Sequence, residues 1–226
     1  MSERLSFLFI ATLTVLSCSP APEATRPSAM PPATVSPTAT KAPLPSGARR
    51  FAVVPARSQA TIRVREQVAA VPAPGDAVLT TGAFAGALVL LADGAFAPGS
   101  ALAVELDTLR SDSDLRDEWI KVNTLNTRIF PRAEFTPSRV TGVTLPLSAT
   151  GEWDAIIEGT LKIHGAERPL AWPVKATRSM NAVRVRGATV FKFGDYGMAV
   201  PANRLILSVI DEVRVEIGRA SCRERV

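Results

Sequence analysis

The chain has one histidine, His164, and two cysteines, Cys18 and Cys222. That scarcity excludes most site chemistry. A zinc centre takes about four His, Cys or carboxylate ligands. Nucleophilic hydrolysis needs a nucleophile, a base and an orienting group together. A single histidine supplies neither, and two cysteines near opposite ends build no disulfide framework. Asp112, Asp114, Asp117 and Glu118 cluster in sequence, but they read as helix-cap and solvated-face residues rather than as an acid–base set. No catalytic residue, metal or cofactor is therefore expected, and the chain is not read as an enzyme.

A run of apolar residues long enough to cross a bilayer, roughly 20, is also missing at the start. Leu5 to Leu16 is apolar, follows a short polar stretch with Arg4, and ends in Val15-Leu16-Ser17-Cys18. This fits the apolar region of a secretory signal peptide over residues 1–17. Its end resembles the bacterial lipobox, in which the cysteine is lipidated and becomes the new N-terminus. Cys18 is thus the expected lipidation site. Ser19, where an aspartate would signal inner-membrane retention, points to the outer membrane. The expected location is the periplasm, tethered to the cell envelope by a lipid membrane anchor.

Large apolar side chains are scarce from Ser19 to Ser46, which are mostly Pro, Ala, Thr and Ser. Such a stretch cannot bury enough surface to offset its chain entropy, and its prolines favour an extended, semi-rigid spacer. Residues 18–50 read as lipidated cysteine plus linker. The other end, "EIGRASCRERV", back-translates from about Ile217 onward into a common sequencing adapter. Residues 218–226 are therefore expected to lie outside the domain. Setting the stretch aside removes three arginines and one glutamate, so the net charge falls from +5 to +3. The basic balance then gives no reason to expect a nucleic-acid partner.

What the chain has in quantity is period-two alternation between residues 51 and 217. It aligns Ile62 and Val64, then Leu102, Val104 and Leu106, then Ile157, Leu161 and Ile163. It continues with Leu170, Trp172 and Val174, then Val183, Val185, Phe191 and Phe193, and finally Val213 and Val215. Repeated alternation with Gly, Pro and Asp between segments predicts half-buried antiparallel strands. About eight of them make a closed barrel, whose interior is either packed solid or holds one small ligand. Small residues near the large ones (Ala60, Gly86, Gly159, Ala176 and Gly187) favour a cavity. The exception to the alternation is residues 111–131. Leu115, Trp119, Val122 and Leu125 are spaced there as on a short helix, with an N-cap at Ser113 or Asp114 and a stop at Pro131. The Trp119 side of that helix is expected to help close one end of the barrel.

Three segments together resemble the YceI-like family: "LRDEWIKVNTLNTRIFPRAEF", "GTLKIHGAERPLAWPV" and "GDYGMAVP…SVIDEVRVEI". The resemblance implies an all-β, lipocalin-like antiparallel β-barrel of about eight strands with one short helix. It further implies an interior that binds a long isoprenoid lipid of quinone or polyprenol type. The better-known branch has a histidine just after its arginine–aspartate pair. Here Trp119 lies in that region, so no head-group role carries over from that histidine. Arg116 either pins the helix to the barrel rim with Asp117 or offers charge-assisted hydrogen bonds to a head group. His164 is either a hairpin residue bonded to nearby backbone or a polar contact at the mouth. The alternative to a lipid carrier is a periplasmic interaction or stress-response module with a solid core. Oligomeric state is not legible.

Overall fold

The computed structural model describes residues 44–225. The expected signal peptide, Cys18 and nearly all of the linker lie outside the described residues. Ten strands and one α-helix follow in order: β1 (Arg49–Val53), β2 (Gln59–Val68), β3 (Gly75–Thr81), β4 (Phe84–Leu90), β5 (Ala101–Glu105), α1 (Asp114–Asn123), β6 (Arg132–Thr141), β7 (Thr150–Ile163), β8 (Ala166–Ser179), β9 (Ala182–Phe191) and β10 (Ile206–Arg225).

All the strand pairings are antiparallel, in the order β1-β4-β5-β6-β7-β8-β9-β10, and β1 returns to pair with β10. The remaining two strands extend this ring. β2 follows β1 along the same edge of β10, and β3 pairs with β2 as β4 pairs with β1. A turn at Pro55–Arg57 interrupts the first of these wall positions and Gly82 the second. The wall is therefore a closed eight-stranded barrel, as the alternation predicts. Closure matters because an open sheet edge invites pairing with other chains.

β8 contains Pro169 and Pro173, residues that normally disqualify a central strand because they cannot donate to a ladder. Here β8 pairs with β7 along its whole length but with β9 only from Val174 onward. Both prolines thus lie where β8 has no second partner strand. Pro137 likewise falls at a register shift between β6 and β7.

The expected small-residue signal has a different cause. A Cβ on Gly159 would run into the Thr136 carbonyl oxygen, and one on Gly187 into that of Pro173. These glycines let neighbouring backbones approach closely, as strand glycines often do. They do not form cavity space.

The β7–β8 turn is two residues, His164 and Gly165, at φ values of 52° and 79°. Positive φ at both central positions suits the right-handed twist of the paired strands. His164 sits at the tip, with its ring tilted against Phe130 at 4.7 Å. The contact that holds it is ring packing instead of the expected bond to backbone.

Helix α1 starts where expected, with the Ser113 hydroxyl accepting from the Arg116 amide at 3.4 Å. Its buried face differs from the apolar stripe. Leu115 is 85% exposed and Val122 60%, whereas Asp117 and Lys121 are buried. The helix lies beside an open barrel end, so its apolar residues border a cavity and solvent instead of a filled core. Asp117 is not on the solvated face: one carboxylate oxygen accepts from the Ser111 amide at 2.9 Å and the Ser111 hydroxyl at 2.6 Å. The carboxylate thereby ties the loop before the helix to the helix's first turn. Arg116 and Asp117 do not pair with each other.

Candidate functional site

The barrel is hollow. Its cavity has a volume of about 650 Å³, inside the range of roughly 300–1,000 Å³ usual for small-molecule sites. This interior does not fit the solid-core alternative. Its walls are the inward residues of nearly every strand, because alternate side chains of a β-strand point to the same face.

Fourteen of the residues expected at the interior line this space. β2 contributes Ile62 and Val64; β5 and the turn after it contribute Leu102, Val104 and Leu106; Trp119 comes from α1. Ile157, Leu161 and Ile163 stand on β7, Trp172 and Val174 on β8, Val185 and Phe191 on β9, with Phe193 just beyond. Leu170 and Val183, also expected to point inward, pack against clusters at the wall instead. Glu66, Thr124, Met198 and Leu205 line the cavity as well. Glu66 is in phase with Ile62 and Val64 on β2, but its charge hides it among apolar inward positions; Thr124 caps α1, and Met198 and Leu205 lie between strands, where period two carries no information. The only trace in the sequence is the uncharged run Ala69–Gly75 and its neighbour Met198–Asn203.

The cavity reaches solvent beside α1. Leu115 and Leu205 both line it and are 85% and 70% exposed. Two charged residues, Glu66 and Arg116, are among the lining groups, and they pair with each other at 3.2 Å. The Arg116 guanidinium also meets Asp112 and donates to the Ser111 hydroxyl at 3.4 Å. The rim cation is therefore enclosed by two carboxylates. His164 is not among the lining residues.

Among the described residues, three buried side-chain atoms have no hydrogen-bond partner within the protein: Asp117 Oδ2, Thr124 Oγ1 and Trp172 Nε1. Trp172 lies halfway along the β7–β8 hairpin, opposite Ile157, with its ring edge-on to Phe135 at 5.8 Å. Buried donors without a partner are rare, and each costs about 1–3 kcal/mol.

The far end is closed by side chains. Phe51, Leu90 and Cys222 form a cluster with Leu145 and Leu147 packed on it. Beside it the buried Arg178 donates to the carbonyl oxygens of Leu147, Ser148 and Met180 and to Glu224 at 2.6 Å, and Glu224 also meets Arg49 at 2.7 Å. Cys222 and Glu224 belong to the stretch expected to lie outside the domain. The structure places that stretch in β10, paired with β1 and β9. Burial pushes the Cys222 thiol up to about 11. Among the described residues, no group of three or more His, Cys, Asp or Glu comes together, and no helix is long and apolar enough to cross a membrane.

The profile of the YceI-like domain matches residues 51–219. No curated protein sequence matches the chain. Among solved structures, the chain is similar to a polyisoprenoid binding domain from Saccharophagus degradans implicated in plant cell wall breakdown. The two are 13% identical, the match covers 78% of this chain and 98% of that one, and the TM-score is 0.59. It is similar too to Burkholderia cenocepacia BcnA, at 14% identity, with 75% and 98% coverage and a TM-score of 0.56. At these identities the likeness concerns the fold.

Proposed function

The chain belongs to the YceI-like family, and from that premise we propose that its barrel binds and carries one long isoprenoid lipid of quinone or polyprenol type. The observation that carries this reading is the 650 Å³ apolar cavity that opens beside α1. Apolar surface removed from water contributes roughly 25 cal/mol per Å², and a hollow lined almost wholly by hydrocarbon offers such a ligand little else. The Saccharophagus degradans neighbour, a polyisoprenoid binding domain, supports the same ligand class. The second part of the proposal concerns place. Cys18 is lipidated, and the Pro-rich linker holds the barrel off the membrane on the periplasmic side, with the outer membrane as the anchoring surface. The arrangement is that of a tethered binding protein, and no chemical step is assigned to it.

The test is organic extraction of the protein purified from bacterial envelopes, followed by mass spectrometry. Recovery of a polyprenoid in near-equimolar amount is expected. Lipid-free protein that also fails to take up geranylgeraniol would overturn the binding reading. For the anchor, metabolic labelling with a fatty acid should tag the wild-type chain and leave Cys18→Ser untagged; equal labelling of both would remove Cys18 from its role.

A further inference from the structure

We propose that the mouth of the barrel is a membrane-docking surface, whose apolar lip dips into the headgroup region of a phospholipid bilayer so that a lipid enters the cavity without crossing water. This rests on the isoprenoid reading above and adds the surface from which the barrel draws its ligand.

The observation is a set of exposed apolar side chains that the cavity does not account for. A lipid site explains the apolar residues that line it. Val71, Val200 and Leu207 do not line it, and they are 48%, 38% and 62% exposed. Each is the chain neighbour of a residue that does: Ala70, Pro201 and Ile206. The Ala69 amide donates to the Leu205 carbonyl oxygen at 2.9 Å, so the segments that carry Val71 and Leu207 are joined in one lip. The loops Ala69–Gly75 and Met198–Asn203 have no charge. On the wall, by contrast, charge stands between the inward residues: Arg63 and Arg65 on β2 and Arg184 and Arg186 on β9.

An exposed apolar patch of this kind marks a protein partner or a membrane. Two features favour the bilayer. First, the patch borders an opening, since Leu115 and Leu205 are exposed and also line the cavity. A protein or a second copy seated there would block the passage that a lipid carrier needs. A bilayer covers the same surface and is the ligand's own medium. Second, the chain outside the described residues has the reach. Arg49, near the start of the barrel, pairs with Glu224 at the closed end, away from the mouth. A Pro-rich spacer with the length of residues 19–46 extends to roughly 85 Å. The 14 residues of β7 span about 45 Å at the rise of a strand. On the proposed anchor at Cys18, the spacer is therefore long enough for the mouth to turn to the membrane that holds it, and the tether keeps that membrane at high local concentration. The spacer holds the closed end off the surface while the lip makes the contact.

The experiment uses the full chain from envelopes, reconstituted in phosphatidylcholine vesicles, with an environment-sensitive fluorescent amino acid encoded at Leu207, Val71 or Met180. Leu207 and Val71 line no part of the cavity, so emission there reports the medium outside the barrel and not a ligand within it. Met180 is 72% exposed at the closed end and serves as the control. Emission at positions 207 and 71 should shift to the blue and be quenched by brominated acyl chains. The effect should be equal at about 0.1 M and about 1 M salt, because apolar contact is not screened. Position 180 should show neither change. Leu205→Asp should lower the docked-to-undocked ratio about tenfold or more, the worth of one buried leucine. Unshifted emission at 207 and 71 overturns the proposal, and so does equal quenching at 180. A blue shift that needs no vesicles and grows with protein concentration assigns the lip to a second copy and overturns it as well. Docking that requires anionic vesicles and vanishes at high salt overturns the apolar contact. Each of these results leaves the isoprenoid reading standing, since that reading is decided by the lipid recovered on extraction. The labelled positions are exposed, so the emission measurement decides even if Leu205→Asp folds poorly.

Discussion

The two ends of the barrel differ in how they treat polarity. At the far end a buried guanidinium is satisfied on every side: three carbonyl oxygens and the Glu224 carboxylate take its protons. Beside it Phe51, Leu90 and Cys222 fill the bore. At the mouth, large apolar side chains stand in water, and the loops Ala69–Gly75 and Met198–Asn203 have no charge at all. Loops usually gain solubility from polar residues, so an apolar lip around an apolar cavity has a cost that packing does not explain. One end is filled and satisfied, and the other is open; on the proposed function the open end is where a lipid exchanges. The difference teaches where to cut: changes at the closed end should alter folding and spare binding, and changes at the mouth the reverse.

The severest way to break this contrast is to end the chain at Gly218. All four β1–β10 register pairs and both ion pairs to Glu224 lie beyond that point. Without them the barrel should fail to close, and the cooperative urea transition should be lost. A truncated chain that melts and binds like the full one would show that residues 219–226 stand outside the domain, as the sequence reading expects. Next in size is Arg178→Met. Removing one partner of a buried ion pair typically costs about 3–5 kcal/mol, and here three carbonyl oxygens lose their donor as well. The midpoint in urea should fall accordingly while affinity for geranylgeraniol stays within about twofold. Loss of affinity without loss of stability would deny the division of labour between the ends.

Alkaline pH probes the closed end more gently. Burial raises the Cys222 thiol from its ordinary 9.0 to about 11. A raised pKa of this kind contributes stability that is fully present below pH 9 and is lost as pH rises through 11. The size is about 2–3 kcal/mol for one such group. Stability measured in urea between pH 8 and 11 should decline, and Cys222→Ala should flatten part of the slope. A residual slope is expected because burial raises Tyr196 too. An unchanged slope in the variant would place the thiol in contact with water.

How much of this was legible in sequence follows from where the signal is local. Strand faces mostly were, because alternation is a property of neighbours: of the interior positions assigned from it, only Leu170 and Val183 do not line the cavity. The helix start was, because Ser113 caps locally; its end was not, since the helix stops at Asn123, before Leu125 and well short of Pro131. The face of α1 was not. A helical stripe such as Leu115-Trp119-Val122-Leu125 normally faces a core, but this helix borders an opening, and its buried side is anchored by Asp117 through Ser111. Nor was the state of Arg116, whose partner Glu66 lies fifty residues away in sequence. Trp172 reads as one more inward residue, and nothing in the sequence shows that its indole nitrogen is buried without a protein partner. His164, the residue that attracts attention by being alone, turns out to be held by a turn and a phenylalanine.

The mildest prediction sharpens the comparison most. Leu115 and Leu205 are exposed and also line the cavity. Replacing either with aspartate removes little buried surface, so stability should change by no more than about 0.5 kcal/mol. On the proposed function, a lipid entering the barrel passes beside them. A carboxylate there imposes a desolvation cost on that passage and repels anionic head groups. Uptake of geranylgeraniol from anionic vesicles should slow several-fold in Leu115→Asp and Leu205→Asp, with equilibrium affinity for detergent-dispersed ligand little altered. The same substitution at Met180, which is 72% exposed on the β8–β9 turn at the far end, should leave uptake unchanged. Equal slowing at both ends would mean that general surface charge, and not a mouth, governs exchange.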